Sequence, residues 1–169
     1  RPHCAGEVVM EVRSINTHKL RDISFTLRRG EILGLVGLVG AGRTEIIRAI
    51  CGADKAKGHA VLIEGRPVRI RKPADAKRAG IGLVPEDRKL QGLVLPFSVQ
   101  SNIAMASLER LSRFGFVRAS AEREIARRQI RNLSIKTPSP QTKAVSLSGG
   151  NQQKCIIGRW LEINPRILI

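Results

Sequence analysis

The sequence predicts an α/β fold with accessory subdomains, on three observations. Short apolar strands alternate with helices, the pattern of an α/β sheet. One apolar strand runs through a glycine-rich loop into a helix. After Pro96 the chain changes to stretches with helical spacing, which read as an insert on that sheet.

Taken in order, Val8 to Arg13 alternates apolar and polar residues and predicts a strand. Leu20 to Leu27 predicts a second, with Ile23, Phe25 and Leu27 on one face. Glu31 to Val36 is a short apolar run, expected to be a buried strand. Thr44 to Cys51 has helical character, and Gly52 is a plausible stop. Ala60 to Ile63 predicts a strand turning at Glu64-Gly65. Pro73 opens a short helix that Gly80 closes, and Ile81 to Val84 is again an apolar strand. Val99 to Leu111 and Arg118 to Leu133 predict helices, the second with Ile125, Ile130 and Leu133 on one side. Thr137 to Gln141 holds two prolines and reads as a linker. A helix from Gly150 to Leu161 and a strand over Arg166 to Ile169 complete the chain.

The 169 residues are enough for one domain with a core, and 42% apolar content fits a globular chain. No run approaches the roughly 18 apolar residues of a membrane span. The first residues, Arg1-Pro2-His3-Cys4, show no secretory h-region and no initiator Met, which suggests a fragment or a processed chain. Cys4, Cys51 and Cys155 form no CxxC pair, so neither a zinc site nor a disulfide framework is expected. The net charge of +16 is compatible with nucleic acid, with an anionic membrane leaflet, or with a solvated basic surface. Only 3% of residues are aromatic and none is Tyr, which disfavours single-strand stacking.

Gly37-Leu38-Val39-Gly40-Ala41-Gly42-Arg43-Thr44 fits the P-loop pattern G-x-x-x-x-G-K-[ST] except at Arg43. Its glycines allow backbone N–H groups to approach phosphate oxygens closely, and the following helix offers its positive end to the same anion. Thr44 supplies a hydroxyl suited to Mg²⁺. Arg43 is larger and planar, so it does not simply replace Lys. A glycine-rich turn without a ligand is the bland alternative. A second motif, Leu147-Ser148-Gly149-Gly150-Asn151-Gln152, opens the last helix, where free N–H groups of Gly149 and Gly150 beside Ser148 would form a small anion site. An ordinary Ser N-cap is the alternative there.

Together the two motifs resemble the ATP-binding cassette (ABC) family, with Walker A at Gly37 to Thr44, the signature at Leu147 to Gln152, and Pro165 to Ile169 as the lead-in to the Walker B strand. Gly-Ala-Gly-Arg-Thr at 40–44, Pro-Glu-Asp-Arg-Lys at 85–89 and Leu-Ser-Gly-Gly-Asn-Gln-Gln-Lys at 147–154 are similar to the second cassette of double-cassette monosaccharide importers. The resemblance implies a P-loop NTPase core sheet with an N-terminal antiparallel β subdomain and a helical insert. It lays out one partial cassette over 1–169: a β and P-loop core at 8–96, a helical subdomain at 97–145, and the signature helix with the start of the Walker B strand at 146–169.

The same resemblance implies ATP and Mg²⁺ as cofactors, and a second cassette and a transmembrane permease as partners, at the cytoplasmic face of the inner membrane. Nucleic acid is not expected as a partner. Gly37, Val39, Gly40, Ala41, Gly42, Arg43 and Thr44 would hold one nucleotide. Leu147, Ser148, Gly149, Gly150, Asn151 and Gln152 would meet the nucleotide held by the partner cassette. Thr44 and Glu86, which stands at the usual Q-loop position, are the expected Mg²⁺ contacts; a solvated turn pairing Glu86 and Asp87 with Arg88 and Lys89 is the alternative. His18 is the candidate for the adenine, and Trp160 reads as core. The Walker B Asp and the catalytic Glu are expected after Ile169, so no catalytic residue is expected within the chain. Two other readings stay open: a regulatory cassette that binds without hydrolysis, and a nucleic-acid-associated ABC ATPase.

Overall fold

A computed structural model describes residues 6–56, 58 and 60–169. The N-terminal Arg1-Pro2-His3-Cys4 lies outside these described residues. The chain divides into two compact units, one reaching to Gly82 and including Ile169, the other Leu83–Leu168. The helical subdomain expected over 97–145 falls within the second unit.

In the first unit, β1 (Val8–Ile15) pairs antiparallel with β2 (Ile23–Arg28) on one side and β3 (Ala60–Ile63) on the other, and β4 (Arg66–Val68) extends the sheet beside β3. The order is β2-β1-β3-β4. β2 alternates as its sequence predicts, with Ile23, Phe25 and Leu27 half-buried and Ser24, Thr26 and Arg28 exposed. Central β1 contributes Val9, Met10, Val12 and Ile15 to the core, joined by Val61 and Ile63 of β3. Helix α1 (Arg43–Ile50) adds Ile46, Ala49 and Ile50, and Cys51 at its end is also buried. Helix α2 (Pro73–Arg78) starts with Pro at its first position, where no N–H is needed, and Gly80 (φ 84°) follows its end. A two-residue strand, β5 (Ile81–Gly82), is shorter than the predicted Ile81–Val84.

The segment 31–36 differs from expectation. It forms no strand, and Ile32 and Val36 are 98% and 96% exposed. A turn at Arg28 to Glu31 precedes it: Glu31 N–H donates to the Arg28 carbonyl, and Arg28 N–H donates to the Glu31 carboxylate. An apolar run becomes a buried strand only when neighbouring strands take up its backbone groups. Among the described residues no strand pairs with this one.

The second unit is built around one apolar cluster. A short π-helical turn (Arg88–Gly92) leads to α3 (Val99–Ala104), a 3₁₀ turn (Met105–Ser107) and α4 (Leu108–Leu111), so the single helix predicted over 99–111 is broken in the middle. A hairpin of β6 (Ser112–Arg113) and β7 (Phe116–Val117) connects to α5 (Ala119–Asn132). A 3₁₀ turn (Ala144–Ser146), α6 (Gly149–Leu161) and β8 (Ile167–Leu168) follow. Val99, Ile103, Leu111, Ile125, Ile135, Leu147, Cys155 and Ile156 form the core, with Trp160 packed against it.

Polar groups brace that core. Asn102 is fully buried; it exchanges hydrogen bonds with the backbone of Val94 and accepts one from Arg159 Nη2 at 3.1 Å. The Arg159 Nε also donates to the Asn102 carbonyl at 2.7 Å. Burial lowers the Arg159 pKa from its ordinary value. The buried Glu162 carboxylate accepts from Arg110, Arg128 and Gln129, which removes the penalty of an unpaired interior charge. Among the described residues no helix is long and apolar enough to cross a membrane.

Candidate nucleotide-binding site

The first unit holds a depression of about 470 Å³ lined by His18, Lys19, Gly40, Ala41, Gly42, Arg43, Thr44, Glu45, Arg48 and Asp54. The glycine loop curls because Ala41 N–H donates to the Leu38 carbonyl, and Gly40 and Gly42 take φ of 82° and 89°. Those left-handed angles suit glycine, and at Gly42 there is no room besides: a Cβ would lie 2.8 Å from a Leu20 methyl. Gly42 then opens α1 with no side-chain cap. Among the described residues the N–H groups of Gly42, Arg43 and Thr44 have no acceptor, so they remain available to an anion.

Arg43 and Thr44 are exposed at this rim, and the Arg43 guanidinium has no partner among the described residues. His18 lines the same depression as Glu45 and Asp54. Two ion pairs, which sequence reasoning missed, fix the rest of the rim. Lys19 Nζ lies 2.7 Å from Glu45, and its hydrogen bond is the main reason the Glu45 pKa falls. Arg48 grips Asp54 through two bonds of 2.7 and 2.8 Å, which likewise hold the Asp54 pKa down. Lys19 and Glu45 are 26 residues apart, and no local spacing signals such a pair.

The donor set fits a Mg²⁺-bound triphosphate: free backbone N–H groups, one unpaired guanidinium and an accessible threonine hydroxyl. Among the described residues no cluster of three or more His, Cys, Asp or Glu could hold a metal. A hard cation that keeps waters and phosphate oxygens takes few protein ligands, and the Thr44 hydroxyl would be one of them. Gly37, Leu38 and Val39 are exposed at the start of the loop.

The second glycine motif lies in the other unit. Ser148 occupies the N-cap position of α6 without capping: its Oγ accepts from Asn151 Nδ2 at 2.9 Å instead. Asn151 Oδ1 in turn accepts from the Lys136 N–H. Among the described residues the N–H groups of Gly149 and Gly150 therefore have no acceptor, and the Ser148 side chain makes no ordinary cap. Leu147 and Gln152 are buried supports: Gln152 Nε2 donates to the Ala144 carbonyl at 3.0 Å, and its Oε1 accepts from Arg88 at 3.3 Å. Glu86 is exposed, and next to it Asp87 caps the π-helical turn by accepting from the N–H groups of Lys89 and Leu90. Among the described residues neither carboxylate pairs with Arg88 or Lys89 side chains.

A family model described as ABC transporter matches residues 20–169. The chain belongs to that family. A ribose import ATP-binding protein of Rubrobacter xylanophilus is 51% identical over 164 residues, covering 96% of this chain and 33% of the relative. A xylose import ATP-binding protein of Paraburkholderia xenovorans is 46% identical, covering 99% of this chain and 34% of the relative. The chain thus spans about a third of the length of the curated relatives it matches. Among solved structures, an ATP-binding cassette of an ABC transporter, MJ1267, superposes with a TM-score of 0.79 at 20% identity over 96% of this chain and 68% of that one. The protein cbiO1 of Clostridium perfringens, part of the ABC transporter complex cbiONQ, gives 0.73 at 17% identity over 96% of this chain and 64% of that one. These likenesses place the fold among ABC cassettes.

Proposed function

We propose that the chain is a nucleotide-binding part of an ABC importer for monosaccharides, peripheral to the cytoplasmic face of the membrane, where it works with a second cassette and a transmembrane permease. The observation that carries the nucleotide role is the glycine turn at 37–44, with its open N–H groups and unpaired Arg43 at the mouth of one depression. Gly40, Gly42 and the first N–H groups of α1 bind phosphate oxygens, Arg43 neutralises them, and Thr44 holds Mg²⁺. His18, which lines the same depression, offers a ring to the base. The open N–H groups of Gly149 and Gly150 beside Ser148 serve the nucleotide of the partner cassette. Mg²⁺ supplies charge neutralisation on the triphosphate. The sugar reading rests on what the relatives import.

Calorimetry with ATP and Mg²⁺ tests the nucleotide role. Micromolar to millimolar binding is expected, abolished by Gly42→Asp and weakened roughly 10- to 100-fold by Arg43→Gln, the loss of a charge-assisted contact. Unchanged affinity in a folded Arg43→Gln chain would remove Arg43 from the site. No binding by the folded parent chain would sink the nucleotide role of this loop.

A further inference from the structure

The β6–β7 hairpin places two aromatic rings in solvent at a costly position. Phe114 and Gly115 form its turn, with φ of 51° and 82°. Two successive left-handed residues make the type I′ geometry, where Asn, Asp or Gly is favoured and a bulky ring is an outlier. Contacts within the protein do not repay that strain, since Phe114 is 88% exposed and Phe116 80%. Two of the four phenylalanines in the chain thus sit at one turn. The mount is firm: Arg118 N–H donates to the Leu111 carbonyl, Ser112 Oγ donates to the Leu108 carbonyl, and Leu111 is buried in the core. The Arg113 guanidinium lies 5.4 Å from the Phe114 ring centroid, so charge and ring are presented together.

The basic character continues into α5. Residues 112–132 hold six arginines and two glutamates. Arg123, Arg127 and Arg131, spaced by four, share one exposed face with Ser120 and Glu124 around a depression of about 420 Å³. Their guanidinium groups, and that of Arg118, have no hydrogen-bond or ion-pair partner among the described residues. Ile125, Ala126 and Gln129 face the interior.

We propose that the Phe114–Phe116 hairpin and the arginine face of α5 form a docking surface for an anionic lipid bilayer. Binding at a membrane surface grows with the apolar area buried at the headgroup–acyl boundary and with attraction to anionic lipids, and the exposed rings and the arginines offer one of each. Nucleic acid fits less well, because base-stacking surfaces set several aromatics along a charged groove, and here two rings stand on a single turn. The surface extends the importer reading but uses no nucleotide. Its function would be to hold the cassette at the bilayer before the permease is engaged.

Vesicle co-sedimentation of the purified chain tests this, with ATP binding measured on every variant to keep the two proposals separate. Vesicles with roughly 30% phosphatidylglycerol should bind, purely zwitterionic vesicles should not, and added salt should weaken binding. The double substitution Phe114→Asn with Phe116→Thr should reduce partitioning about tenfold or more while retaining ATP binding. Asn relaxes the strained turn, so this variant should melt no lower than its parent. Arg123→Gln and Arg127→Gln should each cost roughly fivefold. Equal or absent binding to both vesicle types, or unchanged partitioning of the double variant, would overturn the proposal. So would a single-stranded oligonucleotide that displaces the vesicles and itself depends on Phe114 and Phe116.

Discussion

The two glycine motifs sit on supports of opposite kinds. The signature segment at 147–152 grows out of a packed core: Leu147 is part of the apolar cluster, and Gln152 is buried and bonded to Ala144 and Arg88. The P-loop at 37–44 follows an apolar segment that lies open, with Ile32 and Val36 98% and 96% exposed. Its geometry comes from backbone instead, namely two left-handed glycines, one of them pressed on Leu20. One motif is shaped by packing and the other by glycine conformation, so substitutions should act on them differently.

The largest contrast lies behind each motif. Ile156→Ala, at a fully buried position in the second unit, should cost about 2–5 kcal/mol, read from denaturant unfolding followed by Trp160 fluorescence. Val36→Ser, near the P-loop, should stay within about 0.5 kcal/mol of the parent. A similar cost for both would mean that segment 31–36 is packed in solution.

Each unit also carries a buried thiol. Burial pushes Cys51 in the first unit and Cys155 in the second up to about 11 from the ordinary 9.0. The unfolded chain ionises first, so stability is intact below pH 9.0 and is lost as pH rises toward about 11. The loss is about 2–3 kcal/mol per cysteine at most, checked by repeating the denaturation across that range with Cys51→Ala and Cys155→Ala. A flat profile would contradict the burial of both thiols.

The glycines themselves should rank below this. Gly42→Ala combines a φ of 89° with a Cβ 2.8 Å from Leu20, and should destabilise by about 1–3 kcal/mol as well as weaken ATP binding. Gly149→Ala meets only the end of the Arg88 side chain, at 3.0 Å, which can swing aside. Its cost should stay under about 1 kcal/mol, in a thermal melt of the two variants side by side.

Period and turn chemistry made much of the fold legible. β1 to β3, α1, α2, α5 and α6 lie where alternation, helical spacing, Pro73 and the glycines put them, whereas β4 gave no sequence signal of its own. Segment 31–36 was not legible, because an apolar run does not announce whether strands flank it. The hairpin at 112–117 escaped for a different reason: Phe-Gly is no turn signal, since a phenylalanine is a poor occupant of a left-handed position. In the site, the loop from Gly37 to Thr44 was readable from spacing. The rim pairs Lys19–Glu45 and Arg48–Asp54 were not, because they are made by the fold.

The most direct test uses the two buried thiols as reporters. In a Cys4→Ser background, the rate of thiol labelling is measured for Cys51 and Cys155 with and without ATP and Mg²⁺. A P-loop held only by its glycines, with the nucleotide bound on it, should protect Cys51 by up to about 100-fold at ligand a hundred times its dissociation constant, and leave Cys155 unchanged. Equal protection of both thiols, or none at Cys51, would contradict the account.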